Sequence, residues 1–190
     1  MIRLLKYGFK KLILILWFKR YVMDNHFIEA DIRQTLIVRG SKMANKPLKK
    51  QFHHLMQYYP EFALVFLWRL KKRPYLWKNL FVRDFNCKIF KSTKIGEGMM
   101  CYHPFATVIN AKSIGRNFQF RNGLTIGNKN NDNLLIPAIG NDVTVGANVV
   151  IIGDITIGDH VIIGAGAVVV KDVPSNCIIA GNPAQIIKQL

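Results

Sequence analysis

IGNDVTVGANVVIIGDITIGDHVIIGAGAVV, residues 139–169, decides the fold of this 190-residue chain. Ile139, Val145, Ile151, Ile157, Ile163 and Val169 fall on a beat of six. A second aliphatic or small set, Val143, Val149, Ile155, Val161, Ala167 and Val173, keeps the same beat four residues later. A helix repeats near 3.6 and an exposed strand near 2, so a sustained six makes each hexapeptide one flat side of a coil. Gly140, Gly146, Gly158 and Gly164 each follow a beat residue, where a corner needs no Cβ and the next coil approaches closely. Three hexapeptides close a triangular turn, and each inward aliphatic stacks on its equivalent eighteen residues away. The predicted fold class is therefore mainly β, a parallel β-helix.

Upstream the beat is less regular. Ile89, Ile95 and Cys101 are six apart, and Ile114, Phe120 and Ile126 resume the register after one extra residue. Between Ile126 and Ile139 the beat slips again, across Gly127, Asn128, Lys129, Asn130, Asn131, Asp132 and Asn133. A coil cannot hold that polar run inside, so it bulges out as a loop, and loops on rigid scaffolds are where sites are commonly built. Ile89 to Val173 leaves room for four to five coils before Pro174, Ser175 and Asn176 break the pattern. The end leaves the prism through Gly181, Asn182 and Pro183. The expected organisation is an α-helical N-terminal region over residues 1–85, a β-helix over 86–175, and a tail over 176–190 that packs on the β-helix.

The chain's net charge of +16 is carried by its first half. Residues 1–94 hold 21 Lys and Arg against 5 acids, whereas residues 95–190 hold 6 against 6. A solvated basic face, an anionic membrane surface or an acidic acceptor would each account for it. Nucleic acid is not expected, since no helix-turn-helix, zinc-ligand set or basic-aromatic RNA motif accompanies the charge. Residues 1 to about 20 read as a helix apolar on most sides, with Arg3, Lys6 and Lys10 on one stripe. Peripheral contact with an anionic membrane and packing against a partner subunit suit it equally. From Asp24 to Lys50, Gly40, Ser41 and Pro47 mark breaks between short helices. Pro60 and Glu61 start another helix, with Phe62, Phe66 and Arg69 on one face, ending before Pro74, which restricts Arg73. A short helix follows through Tyr75, Leu76, Leu80 and Phe81, and the helical cap ends near Phe85.

No apolar run approaches the eighteen or so residues of a membrane span, and the short apolar region leading into Lys19 and Arg20 does not predict a cleavable export signal. Cys87, Cys101 and Cys177, an odd set without metal-ligand spacing, fit reduced thiols in a cytoplasmic protein. A zinc site would need three convergent histidines, and only His103 and His160 lie on the coils, so no metal is expected. His160 occupies a corner where a polar turn residue belongs, and His26, His53 and His54 lie in the helical region without a partner motif.

Lys94–His103 (KIGEGMMCYH), Leu124–Gly127 (LTIG), Ile163–Val169 (IGAGAVV) and Ala180–Ala184 (AGNPA) resemble the hexapeptide-repeat acyltransferases, and within them the serine acetyltransferase-like branch. The resemblance covers about residues 86–190. It implies a left-handed β-helix, an exception to the usual right-handed crossover, and homotrimers with acetyl-CoA as co-substrate in a groove between neighbouring prisms. It makes His103 the catalytic base, which would take the proton of an acceptor hydroxyl attacking the thioester. Ala147 and Ala165 match small residues beside the pantetheine arm, Gly127 and Asn128 match the turn beside the thioester, and Lys171 and Lys188 are the cations expected near the CoA phosphates.

Three positions depart from the serine enzyme. The carboxylate that orients its histidine aligns with Lys88, a substrate-associated aspartate with Tyr102, and a later loop histidine with Ile136. Each loss removes a polar group that serine would use. The expected function is acetyl transfer to a sugar hydroxyl in surface polysaccharide assembly, on a small-molecule or lipid-linked acceptor, with the loop from Lys129 to Asn133 shaping the acceptor pocket. Serine O-acetylation and a catalytically silent trimeric scaffold stand as alternatives.

Overall fold

The computed structural model describes residues 2–70 and 78–190, in two units, Met1–Arg83 and Asp84–Leu190. The expected helix stop at Arg73–Pro74, the Tyr75 and Leu76 positions of the next helix, and the side chains of Arg3 and Lys6 lie outside the described residues.

Asp84–Leu190 is a parallel β-solenoid of about five turns with three faces. Face A stacks Cys87–Ile89, Thr107–Ile109, Thr125–Gly127, Val150–Ile152 and Val168–Val169. Face B stacks Lys94–Ile95, Ser113–Ile114, Ala138–Ile139 and Thr156–Ile157. Face C stacks Met100–Tyr102, Gln119–Arg121, Thr144–Val145, Ile162–Ile163 and Cys177–Gly181, and Ala184–Gln189 returns antiparallel along its edge. Both six-residue sets point inward and are buried from Ile139 to Val173. In the upper coils Met99, Met100, Phe118 and Phe120 fill the same axis, the two phenyl rings stacked 5.6 Å apart. Face C continues one strand past the break expected at Pro174–Asn176. Ile162 pairs with Ile178, sixteen residues on, where Thr144 pairs with Ile162 at eighteen. Cys177 and Ile179 still point inward, so the beat survives in a shortened coil.

Two corners repeat a left-handed backbone residue in every coil. Gly98, Asn117, Asp142, His160 and Asn176 form the column between faces B and C, and Ala106, Gly123, Asn148 and Gly166 the column between C and A. The N–H of His160 donates to the Asn141 carbonyl and that of Asn148 to the Asn122 carbonyl, each at 2.9 Å, one coil back. Asn, Asp and Gly tolerate this conformation best, and His160 is thereby a turn residue. Asp159 beside it accepts from the backbone and side-chain N–H groups of Asn141, at 2.6 and 3.2 Å. Those two bonds hold its carboxyl below the usual carboxylate range. The bonded carboxylate therefore stabilises the fold above its unfolded pKa, and that contribution is lost as pH falls through the folded one. In Asp159→Asn, thermal melts between about pH 5 and pH 3 should show a flatter decline than in the parent, and parallel declines would reject this role.

Met1–Arg83 is helical. α1 (Ile2–Trp17) runs into a wider π turn, Phe18–Val22; α2 (His26–Val38) is capped by Asn25, whose side chain accepts from Ile28 N–H. Gly40 and Ser41 break the chain before a short 3₁₀ turn, and Pro47 precedes α3 (Leu48–Tyr58). α4 (Pro60–Arg69) starts on its proline, and α5 (Lys78–Phe81) follows. Trp17, Phe52, Phe66 and Phe81 centre the core, with Phe52 and Phe66 edge to face at 5.1 Å. Two buried ion pairs tie α4 to α2 and its end: Arg69 grips Asp31 through two bonds of 2.8 and 3.0 Å, and Glu61 accepts from Arg39 at 2.7 Å. No described helix is long and apolar enough to cross a membrane.

Candidate active site

Paired strands on successive coils show why His103 projects. On face C Tyr102 pairs with Arg121, and on face A Val108 pairs with Thr125. The upper coil therefore spends residues 103–107 on a turn that the coil below makes with residues 122–124. The surplus forms a bulge at His103 and Pro104. His103 takes φ +47°, and its carbonyl accepts from Phe105 N–H at 2.6 Å. A side chain before proline is normally driven to extended backbone, so this left-handed turn is a strained arrangement of about 1–3 kcal/mol, of the sort that gathers at functional sites. The Phe105 ring is packed edge-on against buried Phe85 at 4.9 Å, which anchors the bulge from inside. The imidazole itself is exposed.

Below it, the corner forms one continuous column. Gly123 N–H donates to the Phe105 carbonyl, Asn148 N–H to Asn122, and Gly166 N–H to Ala147. Ala147 and Ala165 thus occupy the corner that His103 heads, in the two lower coils. Gly127 and Asn128 lie at the opposite end of face A, where its strands run toward face B. Lys171 follows the last strand of face A, whereas Lys188 sits opposite Ile178 on the returning strand of face C. One chain does not bring these six CoA-binding candidates together.

The polar run leaves the prism as the sequence leads one to expect. Ile126 pairs with Ile109 above and Ile151 below, and Ile139 with Ile114 and Ile157. Thirteen steps of chain from Ile126 to Ile139 cover what Ile151 to Ile157 covers in six. The surplus folds on itself: Lys129 N–H donates to the Leu135 carbonyl, Asp132 caps Leu134 N–H at 2.8 Å, and the Asn133 side-chain carbonyl accepts from Asn128 and Asn110 at 3.1 and 3.4 Å. Leu134 stands 77 % exposed at its tip.

The three departures also have definite places. The Lys88 ammonium lies 4.6 Å from the centre of the Phe90 ring, and the Arg121 guanidinium lies 4.8 Å from that of Tyr102. Ile136 is half-buried at the base of the loop. Arg121, which the sequence does not single out, is thus a cation beside the second of these departures. Its signal is the solenoid period itself, because it falls one coil after Tyr102 on the same face. Two of the thiols are poor nucleophiles: burial pushes Cys87 up to about 11 and raises Cys177. Among the described residues no three His, Cys, Asp or Glu side chains converge in a metal-binding group.

Comparison with known proteins agrees with this geometry. Residues 137–171 match the bacterial transferase hexapeptide family (six repeats). A protein of Escherichia coli K12, WcaB, whose name places it in colanic acid biosynthesis as an acetyltransferase, is 47% identical over 103 residues, which are 54% of this chain and 64% of that one. Serine acetyltransferase 2 of Arabidopsis thaliana is 37% identical over 55% of this chain and 33% of its own. The match thus spans less than two thirds of either relative. The crystal structure of Neisseria gonorrhoeae serine acetyltransferase superposes with a TM-score of 0.67 at 28% identity, over 85% of this chain and 64% of that one.

Proposed function

We propose, for a chain whose Asp84–Leu190 unit is a hexapeptide-repeat solenoid of the serine acetyltransferase-like branch, that the protein is an acetyl-CoA-dependent O-acetyltransferase acting on a sugar hydroxyl in surface polysaccharide assembly. The observation that carries this reading is the shared corner, with His103 on its strained bulge and Ala147 and Ala165 in the coils below. His103 accepts the proton of the acceptor hydroxyl as that oxygen attacks the thioester carbonyl. The new C–O bond gives a tetrahedral oxyanion, which backbone N–H groups stabilise. Its collapse breaks the C–S bond, and the imidazolium returns its proton to the CoA thiolate.

The small corner residues leave room for the pantetheine arm, Gly127 and Asn128 flank the thioester, and Lys171 and Lys188 meet the CoA phosphates. These groups meet in a homotrimer, where one prism's corner faces the far edge of its neighbour's face A. Most outward side chains of face A are apolar, Val108, Val150, Ile152 and Val168 among them, with Lys88 and Thr125 the polar exceptions and exposed Val170 just beyond the last strand, which supports such packing. A monomeric mass in solution would remove this arrangement.

A sugar is preferred to serine because Lys88 and Tyr102 replace the carboxylates, and because identity to the colanic acid relative exceeds that to the plant serine enzyme. Arg121 beside Tyr102 adds a cation that suits an acidic acceptor. The assay is acetyl-CoA with neutral and acidic oligosaccharides, and with L-serine in parallel. Saturable thiol release with a sugar and none above background with serine is expected, and the reverse result would establish the serine enzyme instead.

The exposed Phe9, Leu12 and Leu16 of α1, beside Lys11, Lys19 and Arg20, support peripheral contact with an anionic membrane that carries a lipid-linked acceptor. Flotation with anionic vesicles is expected to be lost on deletion of residues 1–20, and undiminished flotation would refute this role.

A further inference from the structure

We infer that an open pocket on the helical unit binds a phosphate ester carrying an apolar chain. The pocket, about 400 Å³, lies among α1, α3, the start of α4 and the α5 segment, within the size range of small-molecule sites. Its wall holds three cations, Lys10, Lys11 and Arg83, and no Asp or Glu. None of the three has a carboxylate partner among the described residues, whereas Arg39 and Arg69 of the same unit are both ion-paired. His53 also lines the pocket, and its Nε2 is buried without a hydrogen-bond partner among the described residues. A buried polar nitrogen left without a partner costs free energy, and an anionic oxygen would relieve it. Burial, then the charges of Lys49 and Lys11, hold the imidazole below its ordinary pKa. A bound anion would oppose those charges and let the ring protonate and donate.

Gln57 and Asn79 add neutral polar groups, and Leu14, Met56, Pro60, Leu80, Phe81 and Val82 make up the apolar part of the wall. Pro60, Leu80 and Val82 are half-buried and give the pocket its apolar surface, backed by the core side chains Leu14, Met56 and Phe81. A lone phosphate would leave the half-buried Pro60, Leu80 and Val82 facing water, and an alcohol would leave the cations without an anion. Only a ligand with both parts satisfies the wall. The Lys10 ammonium, 5.5 Å from the Phe81 ring centre, stands where the two kinds of lining meet.

This inference is independent of acetyl transfer, since its readout is binding to the helical unit. The full chain is titrated with monomeric octyl phosphate, inorganic phosphate and octanol, by calorimetry and by the His53 imidazole proton resonances. Octyl phosphate is expected to bind at least about tenfold more tightly than either other probe, as charge-assisted bonds and a buried chain add. It should also raise the His53 pKa. The variant Lys10→Gln/Lys11→Gln, with its melting temperature checked, should lose about tenfold in that affinity. Equal binding of octanol would reduce the pocket to an apolar hole, and equal binding of inorganic phosphate would remove the chain. Unaltered affinity in the double variant, or octyl phosphate binding that leaves the His53 resonances unmoved, would overturn the site.

Discussion

His103→Asn should lower the rate of acetyl transfer by about 10²–10⁴-fold, the usual contribution of a positioned general base, with acetyl-CoA affinity unchanged. Asparagine is the informative replacement because of the backbone. His103 stands at φ +47°, and asparagine, like histidine, is enriched in that region. The bulge, the bond from Phe105 N–H and the packing of Phe105 on Phe85 are therefore kept while the titratable nitrogen is removed. His103→Ala removes the same nitrogen but holds the turn less well, by up to about 1 kcal/mol. Equal loss of rate in both variants with different melting temperatures separates chemistry from strain. His103 is exposed and heads the corner of Ala147 and Ala165, where the proposed pantetheine track would run. If His103→Asn turns over at the parent rate, the base lies elsewhere and the acetyl-transfer mechanism proposed for this corner is wrong.

The solenoid was legible because its constraint is periodic. Every coil must place an aliphatic on the axis, and Ile139 through Val173 repeat that demand often enough to be read from one sequence. The polar run after Ile126 was legible for the complementary reason, since no inward position accepts it. What the sequence concealed depends on register between coils. Arg121 meets Tyr102, and the surplus at His103 and Pro104 becomes a bulge, only once strands are paired. The helical unit shows the same limit. Glu61 reads as an ordinary first-turn acid, yet it is held by Arg39, and Arg69 reaches Asp31 across 38 positions of chain. Buried pairs of this kind follow from tertiary packing, which carries no local period. Lys171 and Lys188 illustrate the converse, for residues grouped by their expected chemistry are separated onto different faces by the hairpin at Gly181.

Gly146→Ala should destabilise the solenoid by about 3 kcal/mol, the upper part of the range for overpacking. A Cβ at Gly146 would lie 2.6 Å from the amide nitrogen of Ala165 and 2.8 Å from its Cα, well inside the roughly 3.5–4.0 Å of a favourable contact. The obstacle is backbone and has no rotamer into which to retreat. Nor can the coil move freely, because Gly146 N–H is bonded to the Ile163 carbonyl and Gly164 N–H to that of Ile179, both at 2.8 Å. In a repeat stack each coil contacts only its neighbours, so the displacement concentrates on the coil that presents Ala165. The KM for acetyl-CoA should therefore rise together with the loss of stability. Gly166→Asn is the matched control. Gly166 has φ +73° and open space around its Cβ position, and Asn148 already occupies the equivalent place one coil earlier at φ +57°. That variant should stay within about 0.5 kcal/mol of the parent. Urea midpoints compare the two directly. Close approach between coils explains the glycines after Ile139, Val145, Ile157 and Ile163 only if Gly146→Ala is much the worse; equal midpoints would mean that the coils can part by an ångström at little cost, and that the glycines are there for another reason.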